Sequence, residues 1–163
     1  MEGTEKTGGI LSLSELSQTR RRAWTALLIW SGAGLGFVVT FFMGGGATGF
    51  AADSSRHFLG AAFLGLGFTG YWLSLWLTRQ REGAGPASDE RDLLNVARAN
   101  QVTLVVVLIW VFVFSIGLWT AYESRGQVPV GWMWFLAYGS VILSFVTASG
   151  VTLALDRRMG GND

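Results

Sequence analysis

Cysteine is absent from the 163 residues, and histidine occurs once, as His57. Without thiols the chain has no disulfide framework, thiolate zinc site, iron–sulfur cluster or cysteine nucleophile. Charge is also scarce, since only 14% of the residues are Asp, Glu, Lys or Arg and the net charge is +1. A nucleic-acid-binding protein carries a strong basic excess, so we predict no nucleic-acid partner.

Apolar residues make up 50% of the chain and concentrate in four uncharged runs. A helix needs about 20 mostly apolar residues to cross a bilayer, because lipid offers the backbone no hydrogen-bond partners. Four runs meet this requirement: residues 23–43, 58–77, 102–121 and 132–154. The sequence therefore predicts an all-α integral membrane protein with four lipid-contacting transmembrane helices. Because the connections are short, we expect an up-down-up-down bundle.

Basic residues are distributed unequally around these runs. Ten of the twelve lie before the first run, between the second and third, or after the fourth, and Arg56 and Arg125 are the other two. The positive-inside rule then places both termini and the middle connection in the cytoplasm, with the protein in a bacterial inner membrane. The arginines at 20–22 also resemble a twin-arginine export signal. The run that follows is long enough to span and shows no clear cleavage site, so we expect an uncleaved first helix.

This topology divides the chain into tails and a membrane domain. The predicted parts are an N-terminal cytoplasmic tail at 1–22, a four-helix domain at 23–154 with a cytoplasmic loop at 78–101, and a C-terminal cytoplasmic tail at 155–163. In the first tail, Ile10, Leu13 and Leu16 recur at three-residue spacing, which is typical of a helix lying on a membrane surface. A tail without regular structure is the alternative.

All four runs lack Asp, Glu, Lys, Arg and His. Charged groups at membrane depth mark proton relays, ion paths and voltage sensors, because they are too costly to retain without a function. The sequence therefore argues against a proton-coupled transporter or pump. We also find no nucleophile–base pair and no paired carboxylates in the runs, so we predict that the protein is not an enzyme.

Small residues recur at helical spacing in three of the runs. Such residues let helices approach closely in lipid, so they mark either internal packing or a docking surface for another membrane protein. The positions are Gly32 and Gly36 in the first run; Ala61, Gly65, Gly70 and Ser74 in the second; and Ser140, Ser144 and Ala148 in the fourth.

His57, just before the second run, is the one candidate cofactor ligand. A single imidazole is enough to bind a five-coordinate haem iron or a chlorophyll-type magnesium. The alternative is a polar residue in the first turn of a helix, where Asp53, Ser54 and Ser55 are suitable N-caps. We favour this alternative and predict no bound cofactor and no metal site.

The densest charge cluster is Asp89, Glu90, Arg91 and Asp92, which follows a Gly- and Pro-containing stretch. Early carboxylates suit the positive end of a helix, so we expect one long helix from about Asp89 through Ala121. The cluster would then cap this helix on the cytoplasmic side or contact a cytoplasmic protein.

The same segment resembles a group of small prokaryotic four-span membrane proteins of unassigned function. Those proteins carry an Asp-Glu-Arg motif before their third helix, which corresponds here to Asp89, Glu90 and Arg91, and the resemblance covers residues 88–116. It implies a four-helix topology and no particular activity.

Three functional hypotheses follow. The first is a non-catalytic accessory subunit that packs against larger integral membrane proteins, for example in a respiratory or photosynthetic complex. The second is a regulatory membrane protein that recruits a cytoplasmic factor through a charged helix at 89–100. The third is a pigment- or haem-binding protein that uses His57.

Overall fold

The computed structural model describes residues 18–79 and 90–160, and these residues form helices without any β-strand. The elements are α1 (Gln18–Phe42), α2 (Gly46–Ala52), α3 (Ser54–Arg79), α4 (Glu90–Tyr122), a 3₁₀ turn (Glu123–Arg125) and α5 (Gly131–Gly160). Four of the helices, α1, α3, α4 and α5, are long and apolar enough to cross a membrane. The prediction of an all-helical chain with four candidate membrane-spanning helices is confirmed.

The helices extend beyond the uncharged runs. α4 has 33 residues, including residues 90–101 that lie before the third run. At 1.5 Å per residue this helix is about 50 Å long, whereas the hydrocarbon core of a bilayer is about 30 Å thick. The predicted long helix from about Asp89 is therefore present as one piece, and much of the connection at 78–101 is helical.

The connection between α1 and α3 contains a short helix, α2, that the sequence did not predict. Gly45 and Gly46 have φ values of 87° and 65°, a left-handed conformation that glycine adopts without steric cost. Seven residues after Gly46, Asp53 caps α3, because its carboxylate Oδ1 accepts a hydrogen bond from the backbone N–H of Ser55 at 2.9 Å. The chain thus turns twice in fewer than a dozen residues.

The long helices pack in the spatial order α3, α1, α5, α4. α1 contacts both α3 and α5, and α4 packs on α5. Each of these pairs is antiparallel. In α1 and α3, Trp30 meets Gly67 and Gly36 meets Phe63. In α1 and α5, Trp30 meets Phe145 and Arg20 meets Asp156. In α4 and α5, Trp110 meets Gly139 and Phe114 meets Trp132. Consecutive membrane helices α3 and α4 are therefore not a closely packed pair among the described residues.

The core is aromatic and lies at the end where α2 is found. Phe37, Phe41 and Phe50 are fully buried together with Ala47 of α2. Four side chains of α5 pack against this cluster: Trp132, Phe135, Tyr138 and Ile142. Ring contacts such as Phe41–Phe135, at a centroid separation of 4.7 Å, add to the burial of apolar surface. This cluster joins α1, α2 and α5.

Candidate functional site

The two ends of the described chain meet at the pole opposite the aromatic core. Arg20 Nε, at the start of α1, lies 3.3 Å from the Asp156 carboxylate near the end of α5. One turn further along α1, the guanidinium of Arg157 lies 6.0 Å from the ring centre of Trp24. This pole, which we call the arginine pole, carries the consecutive residues Arg20, Arg21 and Arg22 of α1.

A cleft of about 390 Å³ opens at the arginine pole, between α3 and α4 and over α1 and α5. It exists because α3 packs on α1 and α4 packs on α5, which leaves the two outer helices apart. Its lining is partly polar and partly apolar: Thr19, Arg22, Ala23 and Ala26 of α1; Tyr71 and Leu75 of α3; Leu93, Val96 and Asn100 of α4; Phe145, Ala148, Ser149 and Thr152 of α5. None of these lining residues is acidic.

A second, apolar groove of about 460 Å³ lies nearer the middle of the helices, between α1 and α4. Its floor is formed by α5, where Gly139 and Ile142 contribute, and Trp110 of α4 forms one wall. A Cβ added at Gly139 would lie 3.4 Å from the Trp110 ring. Because glycine lacks this atom, the indole can lie against α5. The groove contains the hydroxyl-bearing residue Ser31 and is otherwise apolar or glycine-lined.

α4 is the least enclosed of the membrane helices. Only 6% of the residues in its most apolar stretch are buried, compared with 33% for α1, although α4 is the most hydrophobic of the four helices. Exposed apolar side chains continue beyond the third uncharged run into the first turns of the helix, where Leu93 and Leu94 are 64% and 55% exposed. α4 therefore presents apolar surface over nearly its whole length.

The predicted small-residue positions of α1 and α3 differ in their surroundings. A Cβ at Gly36 would overlap the ring of Phe63, so this glycine allows a close approach between α1 and α3. A Cβ added at Gly70 would lie 3.6 Å from the Ile29 side chain, which is an ordinary van der Waals contact. Gly32 and Gly65 would have nothing within 4 Å of an added Cβ, and Ala61 is exposed. The structure therefore places Gly36 at an internal contact and leaves Gly32 on the open surface.

The hydroxyls among the predicted positions bond within their own helices. Ser140 donates to the Leu136 carbonyl at 2.6 Å, Ser144 to the Ser140 carbonyl at 2.7 Å, and Ser74 to the Tyr71 carbonyl at 2.7 Å. Such bonds satisfy a hydroxyl inside a membrane without a partner helix. Ala148, in contrast, lines the cleft at the arginine pole.

The charge cluster before the third run is only partly covered by the structure. Asp89 lies outside the described residues, Glu90 begins α4 and is exposed, and Arg91 and Asp92 lie in the first turn of that helix. The segment containing Ile10, Leu13 and Leu16 also lies outside the described residues. Both hypotheses about partner and membrane contact at these positions remain predictions.

His57 lies in the first turns of α3, against the aromatic core. Its ring centre is 4.8 Å from that of Phe50 and 5.8 Å from that of Trp134. The Nε2 atom is buried and has no hydrogen-bond partner among the described residues. Because neighbouring atoms cover this nitrogen, they would have to move before a haem iron or magnesium reached it. The described residues also contain no group of three or more metal-ligating side chains.

Sequence patterns did not identify two features of this architecture. Arg56 donates to the carbonyl of Gly44 and pairs with the Asp53 carboxylate at 3.0 Å, so it ties the end of α1 to the start of α3. The cleft at the arginine pole is the other feature, because its lining comes from four separate helices. The excess of arginine at this pole is the one sequence signal that pointed to the region.

Residues 29–151 match the model of a family described as "Predicted membrane protein (DUF2178)". The match covers about three quarters of the chain and extends well beyond residues 88–116, where the sequence resemblance was noted. Neither a curated protein nor a solved structure matches the chain.

Proposed function

The chain belongs to this family of predicted membrane proteins. We propose that it is a non-catalytic accessory subunit of a larger membrane-protein assembly. Its four helices would cross a bacterial inner membrane in an up-down-up-down arrangement, with both termini in the cytoplasm. The unequal distribution of arginine supports this orientation. The ion pair between Arg20 and Asp156 supports a common side for the two termini.

The observation that carries the accessory role is the exposed apolar surface of α4 beyond the membrane core. If Trp119 and Tyr122 lie at the outer interface, about 20 residues of α4 are enough to reach the inner one, so Leu93 and Leu94 lie at or beyond the headgroups. Both leucines are more than half exposed. Lipid tails solvate apolar side chains within the hydrocarbon core, but they do not do so in the aqueous phase. Contact with another protein would remove this apolar surface from water, which contributes a favourable free energy of about 25 cal/mol per Å² buried.

The proposed partners are integral membrane proteins that contact α4 along its length. In lipid, association depends on close packing and not on the hydrophobic effect. The open glycines Gly32 and Gly65 are further positions where a partner helix can approach without displacing a side chain. A respiratory or photosynthetic complex is one class of host for such a subunit.

Purification in mild detergent tests this role through Leu94→Glu, with Val130→Glu as the matched control. Both residues are exposed and apolar, but Val130 precedes α5 at the opposite pole from Leu94. We expect the wild-type chain and Val130→Glu to copurify with one membrane protein at fixed stoichiometry, and Leu94→Glu to lose it. A wild-type chain that elutes alone, or a Leu94→Glu variant that keeps the same partner, would contradict the proposal.

The same helical extension also favours a second candidate, recruitment of a cytoplasmic factor through residues 89–100. Here the charged side chains, and not Leu94, would make the decisive contact. Replacing Asp89, Glu90 and Asp92 together by Ala separates the two roles: loss of a soluble factor with the membrane partner retained favours recruitment. Loss of neither rejects it.

A further inference from the structure

We infer that a pocket at the turn between α4 and α5 binds the ammonium group of a phosphatidylethanolamine headgroup. This pocket, which we call the turn pocket, has a volume of about 220 Å³ and lies at the end of the molecule opposite the arginine pole. Its lining is Trp119, Tyr122, Glu123, Gly126, Gln127 and Val128. The inference needs only that this turn lies at a membrane surface, and it does not depend on the accessory role.

The local sequence forms the turn pocket by ending α4 abruptly. α4 ends at Tyr122, and a single 3₁₀ turn, Glu123–Arg125, follows it. Gly126 has a φ of 67°, which glycine adopts without steric cost, and its N–H donates to the Tyr122 carbonyl at 3.1 Å. The Tyr122 hydroxyl in turn accepts a hydrogen bond from Trp132 Nε1 at 2.9 Å. The wall of the pocket is therefore tied to both helices that flank the turn.

The charge of the turn pocket favours a cation. Among the described residues that line it, Glu123 alone is charged. Within residues 18–79 and 90–160, no cation forms an ion pair with Glu123. Arg125 does not line the pocket, because its guanidinium lies over the Tyr122 ring, 5.6 Å from the ring centre. Gln127 adds an amide oxygen as a second acceptor, so a primary ammonium, which carries three donors, matches this lining.

An aromatic ring adds to the attraction for a cation. Trp119 is 65% exposed and lines the turn pocket. Because Arg125 already lies over the Tyr122 ring, the indole of Trp119 is the ring that a ligand can use. The face of an indole attracts a cation through the quadrupole of the ring. A carboxylate and an indole in one pocket therefore favour an ammonium over an uncharged polar group.

The position of the turn pocket suits a lipid headgroup. Trp119 and Tyr122 lie at the end of the uncharged run 102–121, and tryptophan and tyrosine concentrate at the level of the headgroups. Ile116 and Phe112 lie one and two turns before Trp119 on α4, and both are exposed. An ammonium in the pocket would therefore lie at its normal depth, while an acyl chain extends along the apolar side of α4.

Native mass spectrometry of the full chain in detergent tests the inference, with phosphatidylethanolamine or phosphatidylglycerol added in increasing amounts. We expect the first phosphatidylethanolamine to bind about fivefold more tightly than phosphatidylglycerol, as for one exposed charge contact. Glu123→Gln should abolish this preference, because it keeps the size of the side chain and removes its charge. Glu90→Gln, which makes the same change at the other end of α4, should preserve it.

A second pair of variants tests the aromatic contact without changing any charge. Trp119 and Trp72 are 65% and 67% exposed, and Trp72 lies on α3, outside the turn pocket. We expect Trp119→Leu to weaken the binding of the first phosphatidylethanolamine about threefold and Trp72→Leu to leave it unchanged. Equal binding by the wild-type chain, Glu123→Gln and Trp119→Leu would overturn the inference.

Two further measurements identify the group that is bound. Arg125→Gln should leave the binding of phosphatidylethanolamine unchanged or strengthen it, because the variant removes a nearby positive charge. Weaker binding would show that the pocket region holds the lipid phosphate and not the ammonium, and the inference would be wrong. Free ethanolamine at millimolar concentration should compete poorly, because it has no acyl chain to contact α4. Effective competition would show a site for a soluble amine and would overturn the lipid assignment.

Discussion

The indole of Trp30 in α1 stacks on the ring of Phe145 in α5, with 4.2 Å between ring centres and 4° between ring planes. Phe68 of α3 approaches the same indole edge-on at 4.9 Å. Trp30 is fully buried, and Gly67 of α3 lies beneath it, where an added Cβ would be 3.0 Å from the ring. One side chain thus joins the three helices that form the centre of the protein.

Trp30→Ala should therefore destabilise the protein by about 3–5 kcal/mol, the usual cost of truncating a buried aromatic side chain. Thermal unfolding in detergent, followed by circular dichroism or by fluorescence of a reporter dye, measures the loss. Trp72→Ala is the control, since Trp72 is 67% exposed on α3. Equal stabilities for the two variants would show that Trp30 does not hold α1, α3 and α5 together.

The two glycines of the GxxxG element should respond oppositely to alanine. Gly36→Ala forces a Cβ into the Phe63 ring, and overpacking of this kind costs about 1–3 kcal/mol. Gly32→Ala meets nothing within 4 Å and should stabilise the helix by up to about 1 kcal/mol, because alanine has the higher helix propensity. The same unfolding assay compares them. If Gly32→Ala destabilised the protein, some group would have to lie against Gly32, which would contradict the open surface that the structure shows there.

Arg56→Gln should loosen the connection between α1 and α3. The guanidinium bonds to the Gly44 carbonyl and to the Asp53 carboxylate, and a hydrogen bond to a charged group contributes about 1.5–3 kcal/mol. Because the Arg56 side chain is one-third exposed, we expect a loss near the lower bound of that range. Arg125→Gln is the control, since Arg125 contacts Tyr122 at 5.6 Å in an exposed turn. Equal stability losses would remove the structural role of Arg56.

The proposed orientation is testable because the chain contains no cysteine, so each introduced thiol is the only labelled site. Thr48 in α2 and Ala97 in α4 are both exposed, and the topology places them on opposite sides of the membrane. A membrane-impermeant maleimide should label Thr48→Cys in intact cells and Ala97→Cys only after permeabilisation. The reverse pattern would invert the topology.

The four long helices were predictable because each is marked by a local property, an uncharged run long enough to span a bilayer. The capping of α3 by Asp53 was also within reach of the sequence, since a carboxylate before an apolar run is a local signal. α2 was not, because its seven residues, Gly46–Ala52, include two glycines and no strong apolar periodicity. Phe50 becomes a core residue only when Phe37 and Phe41 are placed against it.

The candidate sites divide in the same way. The sequence located the arginine-rich side, but Arg22 and Asn100 are 78 positions apart and share a cleft only because α1 and α4 both pack near α5. Gly32 and Gly36 are both glycines and lie one helical turn apart on α1. Only Gly36 lies close to another helix, α3. Periodicity identifies a face of a helix but not the neighbour that covers it.

The sequence by itself determined that this chain is four apolar helices with arginine concentrated at one pole, because hydrophobic length and charge asymmetry are properties of each segment alone. Tertiary structure alone decided the order α3, α1, α5, α4, the aromatic core around Phe37 and Phe41, and the cleft between the outer helices. These depend on which side chains interlock, as Trp30 does over Gly67, and steric complementarity between distant segments is not encoded in either segment separately.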